Sequence, residues 1–401
     1  MKYDFTSFID RTGHDALALD NIGRGGSAPN LPKNGFDPIP MWVADMNFAA
    51  APSIVNAIRT RLDHPVFGYF NPRKEYTDAI IHWQSKRNGV SVNASQIGYE
   101  NGVLGGVVNA LNTFKPHGRK VLLHSPTYVG FTGALTNSGY QIIHSPLSPD
   151  VNGVWRMDFA DMERKIVENG ITAAVFCSPH NPCGRVWERW EVESAMAVFE
   201  KHHVDVVSDE IWSDLILEGY RHTPTQTVSD YARNHVVAMY APTKTFNLAG
   251  LVGSYHIVYN TELHGKILRE SSQSHYNSMN VLSMYALMGA YSPEGEEWLE
   301  ELRTVLTGNA DFACRAIRER FDGVWCANPQ GTYMIFPDCT EWCRKTGKSL
   351  DELLHAAWDV GAAIQDGRPF HGSCHLRINL ALPRTRVEEA FDRLDKYVFN
   401  P

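Results

Sequence analysis

"ITAAVFCSPHNPCGRVWERWEVESAMAVFEKHHVDVVSDE", residues 171–210, decides the fold class of this chain. It contains two short apolar runs, "ITAAVF" and "VDVV". A turn-rich stretch and an amphipathic segment, residues 188–203, separate them. Short apolar runs bounded by turn residues are typical of buried strands, and the segment between them has the periodicity of a helix. Because strands that are apolar throughout need cover on both faces, this stretch predicts a parallel or mostly parallel sheet between layers of helices.

The same alternation extends over residues 51–260. Further apolar runs are "KVLLHSP", "HVVAMYAP" and "LVGSYHIVY", and "FADMERKIVENG" is a further helical segment. Residues 293–321 have the spacing of one long amphipathic helix. The strand-like "GTYMIF" and "CHLRINLAL" follow, with helical "SLDELLHAAWDVG" between them. We therefore expect an α/β fold with a smaller α+β domain, divided into an N-terminal arm that is part of the small domain (1–50), a large domain (51–295) and a small C-terminal domain (296–401).

Composition excludes several classes of protein. The chain has 401 residues, 43% of them hydrophobic, and a net charge of -8, which argues against general binding to nucleic acid or anionic membranes. No run is long enough for a membrane span, and the first residues are acidic where a signal peptide needs an apolar core. Seven cysteines without a paired framework suit a reducing cytoplasm, and none has the spacing of a zinc site. We expect a cytoplasmic protein without a metal.

Four polar residues follow the predicted strands, where ligands of such sheets bind. They are Tyr128, Asn181, Asp209 and Lys244. Each has a plain alternative: Asn181 precedes proline in a turn, Asp209 could cap a helix, and Lys244 could extend to the surface. Asp209 also has the context of a Walker B acid, but the "GKS" at 347–349 lacks the leading glycine and the preceding strand of a Walker A loop.

Together, the four match what pyridoxal phosphate needs. A lysine amine bonds to the aldehyde, a carboxylate keeps the pyridine nitrogen protonated, an amide can bond the ring oxygen, and an aromatic ring can stack on the face. The phosphate needs a helix N-terminus, which "ENGVLGGVVNAL" offers at Gly102, Val103 and Leu104.

Six segments extend this match across the chain. They are "PMWVADMNF" (40–48), "HPVFGYF" (64–70), "SPHNPCGRVW" (178–187), "SDEIWSDL" (208–215), "APTKTFNLAGL" (241–251) and "LRINLALP" (376–383). With these motifs in this order, the chain resembles fold-type I pyridoxal-phosphate enzymes of the class I/II aminotransferase superfamily. Within it, the chain is most similar to the MalY/PatB-type cystathionine β-lyases, or C–S lyases.

The resemblance implies a role for each matching residue. Lys244 would be the Schiff-base lysine, Asp209 the partner of the pyridinium nitrogen and Asn181 the ligand of the ring oxygen. Tyr128 would stack on the ring, and Arg377 would bind the substrate α-carboxylate, a task for which its planar fork is suited.

Two further residues complete the implied site. Thr243, beside the lysine, would contact the phosphate through its hydroxyl. Tyr69 would reach the phosphate of a neighbouring subunit, so the resemblance implies a homodimer with shared active sites.

The chain departs from its relatives at four places. "DALALDNIG" replaces the usual Ser-x-Lys-Trp-Asp element, and Asn47 stands where Asp is usual. These two changes bear on substrate identity. Trp212 stands where many aminotransferases have a tyrosine, and the arginine often found eight to ten residues after the lysine is missing. The last two favour a lyase over an aminotransferase.

The resemblance predicts a β-elimination that releases a thiol, pyruvate and ammonia from cystathionine or a related sulfur amino acid. Lys244 would remove the Cα proton before the thiolate leaves. An aminotransferase, a racemase and a regulatory protein that binds the cofactor would share the same residues, because the motifs fix the cofactor and not the reaction.

Overall fold

The computed structural model describes residues 1–28 and 30–400. Its α-helices are α1 (Leu17–Asp20), α2 (Pro52–Leu62), α3 (Lys74–Asn88), α4 (Val103–Phe114), α5 (Val129–Asn137), α6 (Phe159–Asn169), α7 (Arg189–Lys201), α8 (Asp230–His235), α9 (Pro242–Thr245), α10 (Thr261–Gln273), α11 (Val281–Ala290), α12 (Pro293–Arg320), α13 (Thr340–Thr346), α14 (Leu350–Asp359) and α15 (Arg384–Leu394).

The β-strands are β1 (Ile39–Pro40), β2 (Ile97–Glu100), β3 (Lys120–Ser125), β4 (Gln141–Pro146), β5 (Ser148–Pro149), β6 (Trp155–Arg156), β7 (Ala173–Cys177), β8 (Asp205–Asp209), β9 (Val236–Tyr240), β10 (Ser254–Ile257), β11 (Met334–Ile335), β12 (Ala362–Ala363), β13 (Gln365–Asp366) and β14 (Leu376–Asn379).

The central sheet has seven strands in the order β2-β10-β9-β8-β7-β3-β4. Strands β9, β8, β7, β3 and β4 pair in parallel, and β10 runs antiparallel to both of its neighbours. Every residue of β7 and β9 is buried, because helices cover both faces. The predicted mostly parallel sheet is confirmed, and its five predicted strands are β3, β7, β8, β9 and β10.

The C-terminal part contains a second, smaller sheet with the order β11-β14-β13. The long predicted helix is α12, which Ser292 caps by accepting a hydrogen bond from the Gly295 amide. Strand β1 pairs in parallel with β12, so the end of the N-terminal arm joins this part of the chain. The domain boundaries at 50 and 295 stay a prediction.

The "GKS" triplet is a link between two helices. Gly347 ends α13 in the left-handed conformation, and Ser349 begins α14 with a capping box in which Glu352 takes part. This arrangement agrees with the rejection of a Walker A loop. Within the described residues, the helices are all too short or too polar to cross a membrane.

Candidate active site

The sheet brings the four strand-end residues to one edge. Tyr128, Asn181, Asp209 and Lys244 follow β3, β7, β8 and β9, and these four strands are consecutive neighbours in the sheet. The carboxyl ends of parallel strands meet at one edge, so all four residues lie at that edge of the sheet. Arg377 comes from the smaller sheet and contacts this group through Asn181.

Asp209 ends β8, and its carboxylate is buried with few groups to stabilise its negative charge. Its Oδ1 accepts a hydrogen bond from the Ile211 amide at 3.0 Å. Burial raises the pKa of Asp209 to about 7, and the charge of Glu210 adds to the effect, whereas the Ile211 amide and Lys244 oppose it. A buried carboxylate of this kind is stabilised by a cation placed against it.

Glu210 is the opposite case, although it is adjacent in sequence and equally buried. Its carboxylate accepts hydrogen bonds from Tyr240 Oη at 2.7 Å and the Thr225 amide at 3.0 Å, and it lies 2.8 Å from His222 Nε2. Burial alone would raise its pKa, but these partners hold the pKa of Glu210 below its ordinary value. Glu210 therefore stays ionised as part of the scaffold behind Asp209.

Lys244 lies in the short helix α9, directly after β9. Its Nζ donates a hydrogen bond to the Ala44 carbonyl oxygen at 3.0 Å and lies 5.9 Å from the centre of the Trp212 ring. Burial lowers the pKa of Lys244 to about 8, and the positive charge of Arg377 adds to this. The amine is thus neutral, and nucleophilic, in a much larger fraction of molecules than an exposed lysine.

Arg377 is a buried cation without a carboxylate partner in the described structure. It is 2% exposed, and burial lowers its pKa to about 10. Its Nη1 donates to Gln365 Oε1 at 2.7 Å and to the Trp42 carbonyl oxygen at 3.4 Å, and its Nε donates to Asn181 Oδ1 at 3.3 Å. Its Nη2 is buried and has no hydrogen-bond partner. An incoming carboxylate would satisfy this atom and neutralise the charge.

Asn181 is held by the tight loop that follows β7. The His180 amide donates to the Arg185 carbonyl oxygen at 2.8 Å and closes this loop. Gly184 lies inside it with a φ of +64°, and a Cβ there would come within 2.8 Å of Pro329. Glycine is therefore required where the loop packs against the chain.

Tyr128 and the start of α4 lie side by side. A Cβ added at Gly130 would lie 2.3 Å from the Tyr128 ring and 2.9 Å from Leu104. Gly102, which precedes Val103 at the start of α4, has a φ of +92°, and no side chain caps this helix. The first amides of α4 are thus free for an anion.

Two predicted residues, Thr243 and Tyr69, have no observed side-chain contact with the other site residues. Thr243 precedes Lys244 in α9 and is half-buried. Tyr69 lies outside the site of its own chain, because it is fully exposed within an extended segment whose neighbours Val66 and Phe67 are also exposed. The sharing of Tyr69 between subunits stays a prediction.

The structure adds groups that the sequence analysis missed. Gln365 fixes Arg377 from the adjacent strand, the Phe370 ring lies 4.8 Å below the guanidinium, and the backbone of "MWVAD" contacts both Arg377 and Lys244. Tyr333 is buried with its hydroxyl unpaired, and Trp212 packs on it edge to face at 4.8 Å. The motif "PMWVADMNF" pointed to the segment whose backbone makes these contacts. The pairing of β13 with β14, which places Gln365 beside Arg377, had no signal in the sequence.

These residues fit pyridoxal phosphate. The Asp209 carboxylate would accept a hydrogen bond from the protonated ring nitrogen, whose positive charge would offset the burial that raises the Asp209 pKa. The Lys244 amine is available to the aldehyde. The uncapped start of α4 would receive the phosphate, while Arg377 remains free for the substrate.

Comparison with known proteins identifies the family of this chain. Residues 39–394 match the model of the family "Aminotransferase class I and II". The chain belongs to this family. Among curated relatives, cystathionine beta-lyase PatB of Bacillus subtilis strain 168 is 35% identical over 361 residues, covering 89% of this chain and 92% of PatB.

Solved structures of related proteins have the same fold. Cystalysin from Treponema denticola, which contains a pyridoxal 5'-phosphate cofactor, superposes with a TM-score of 0.90 at 28% identity, covering 99% of this chain and 98% of cystalysin. The pyridoxal-phosphate-bound C–S lyase from Staphylococcus hominis gives a TM-score of 0.88 at 26% identity, with coverage of 99% and 98%.

Proposed function

We propose that this protein is a pyridoxal-phosphate-dependent carbon–sulfur β-lyase that cleaves cystathionine or a related sulfur amino acid to a thiol, pyruvate and ammonia. The observation that supports cofactor and amino acid binding is a buried Arg377 with an unpaired Nη2, in a site where Lys244 and Asp209 have pKa values shifted by burial. Similarity to PatB, cystalysin and the S. hominis lyase supports the reaction class.

The residues would hold the cofactor as follows. Lys244 would bond its aldehyde, Asp209 its ring nitrogen and Asn181 its ring oxygen, while Tyr128 would stack on the ring. The phosphate would lie at Gly102, Val103 and Leu104, within reach of Thr243. When bound, the cofactor supplies an electron sink that stabilises negative charge on the substrate Cα.

The chain's own groups supply substrate binding and proton transfer. Arg377 binds the α-carboxylate, and Gln365 and Asn181 orient the guanidinium. The substrate amine would first replace Lys244 at the aldehyde. The freed Lys244 amine, whose pKa of about 8 leaves an appreciable neutral fraction near neutrality, would then take the proton from the substrate Cα. The same Nζ then carries a proton that it can deliver to the departing sulfur.

The reaction assignment is tested by product analysis. We expect the purified enzyme with cofactor to release pyruvate and homocysteine from L-cystathionine in equal amounts. An aminotransferase would convert cystathionine to its keto acid and release no thiol, so a keto acid that retains sulfur, without free homocysteine, contradicts the proposal.

We also propose that the active enzyme is a homodimer in which Tyr69 completes the site of the partner. The exposed segment around Tyr69 carries Val66, Phe67 and Phe70, three apolar side chains that their own chain covers only in part. Mixing Tyr69→Phe subunits with Lys244→Ala subunits should restore activity, since each heterodimer has one site with both wild-type residues. Failure of mixed subunits to exceed the activity of either variant argues that each site is built from one chain.

A further inference from the structure

An ion pair from the N-terminal arm lies at the edge of the proposed site. Arg11 Nη2 lies 2.8 Å from Asp45 Oδ2, and Arg11 Nη1 donates to the Met46 carbonyl oxygen at 3.3 Å. The two side chains are 25% and 18% exposed, so the pair is accessible but partly withdrawn from water. Neither residue is among those expected to hold the cofactor.

The backbone connects this pair to the reacting groups. Trp42 offers its carbonyl oxygen to Arg377, and Ala44 offers its own to Lys244, so Asp45 is the next residue along. Asn379, two residues from Arg377 on β14, fixes this segment by donating to the Val43 carbonyl oxygen at 2.8 Å and the Asp45 carbonyl oxygen at 2.5 Å. Three extended residues span at most about 10 Å, so Asp45 is close to the substrate position between Arg377 and Lys244.

Charge and burial at neighbouring groups agree with this placement. The negative charge of Asp45 acts to raise the pKa of Lys244, against the larger effects of burial and Arg377. Tyr333, only 3% exposed, has no partner for its hydroxyl, and Asp45 and Arg377 both influence its pKa, which burial raises. Asp45 therefore lies within electrostatic range of Lys244 and of the unpaired Tyr333 hydroxyl.

A partly exposed pair of opposite charges complements a zwitterion. We propose that Asp45 and Arg11 form the subsite for the leaving group of the substrate, with Asp45 receiving its ammonium and Arg11 its carboxylate. This inference rests on the proposed β-lyase function and identifies the residues that would favour a thioether with an amino acid group at both ends. A thioether with a plain alkyl leaving group would leave the pair unused.

The expected loss of preference for cystathionine follows from the charged hydrogen bonds that a substitution of Arg11 would remove from the bound substrate. Hydrogen bonds to charged groups contribute about ten- to a hundred-fold to an equilibrium when they are partly shielded from water. We therefore expect Arg11→Ala to lower the ratio of kcat/KM for L-cystathionine to kcat/KM for S-ethyl-L-cysteine by about that factor, mainly through KM. Arg11→Lys keeps the charge but loses the fork, and its ratio should fall between those of the wild type and Arg11→Ala.

The test uses the full chain with its cofactor. Lys2→Ala is the matched control, because Lys2 forms another ion pair of the arm, with Glu297 at 2.7 Å, and should leave the ratio within about twofold of the wild type. Thermal unfolding of each variant checks that the arm remains folded. If Arg11→Ala and Arg11→Lys lower kcat/KM for both substrates equally, the pair only anchors the arm and the subsite is refuted. A wild-type enzyme that releases thiol from neither substrate would instead refute the β-lyase function.

Discussion

Asp209→Asn should stabilise the cofactor-free protein and destabilise the protein that contains the cofactor. In the cofactor-free state, burial holds the pKa of Asp209 at about 7, compared with an ordinary value of 3.8. The folded protein therefore binds this proton more tightly than the unfolded chain does. The contribution of Asp209 to stability is most favourable below pH 4 and is lost as the pH rises through 7.

The pKa difference sets the size of the effect. Above pH 7, ionisation of the buried carboxyl lowers the free energy of unfolding by about 4 kcal/mol. Below pH 4, where the carboxyl is protonated in both states, it lowers this free energy by almost nothing. An asparagine amide stays neutral at every pH, but its own burial costs about 1–2 kcal/mol if its hydrogen bonds are incomplete. The cofactor-free variant should thus be more stable than the wild type by about 2–3 kcal/mol at pH 8, and the advantage should shrink on acidification.

Thermal unfolding at several pH values, with and without pyridoxal phosphate, measures this directly. The order of the two midpoints should reverse when the cofactor is added, because only the carboxylate pairs with a protonated ring nitrogen. Glu210→Gln is the matched control: the pKa of Glu210 is held low, so removing its charge should destabilise the cofactor-free protein at pH 8. A cofactor-free Asp209→Asn protein that is less stable than the wild type at pH 8 would show that burial of the Asp209 carboxylate does not destabilise the folded protein.

Three further changes test single parts of the site. Lys244→Ala should lose the visible absorbance of the lysine-bound cofactor and at least about 10²–10⁴-fold in kcat, and retention of either contradicts the assignment. Arg377→Lys should lower kcat/KM about ten- to a hundred-fold, chiefly through KM, since an ammonium cannot bind a carboxylate in two places; an unchanged KM would argue that Arg377 does not bind substrate. Gly102→Ala places a Cβ at a φ of +92° and a ψ of 141°, a region that costs residues other than glycine about 1–3 kcal/mol, so the start of α4 should shift and a cofactor titration should show about tenfold weaker binding; equal affinity would argue against the start of α4 as the phosphate site.

The sequence predicted the strands that are buried along all or most of their length. Strands β7 and β9 are buried apolar runs, and β8 is buried at every residue except Asp205, so their carboxyl ends, and with them Asn181, Asp209 and Lys244, could be located from the order of residues alone. The edge strands β2 and β4 were not identified. Strand β4 is only partly buried, and the apolar signal that marks a central strand is weaker at an edge.

Contacts between distant segments had no comparable signal. Gln365 reaches Arg377 because β13 and β14 pair, and the Ala44 carbonyl reaches Lys244 across 200 residues of chain. Side-chain periodicity specifies faces of elements and not which elements meet. Arg11 was equally invisible, since its position beside Asp45 depends on the path of an irregular arm.

The most direct test of the central claim counts product per active site without any keto acid acceptor. A β-lyase regenerates its cofactor in every cycle, so L-cystathionine should yield many equivalents of pyruvate and homocysteine per Lys244. Release should continue until the substrate is consumed. An aminotransferase without acceptor stops after one half-reaction, so keto acid release that ends at one equivalent per site, with the cofactor left in its amine form, would contradict the account.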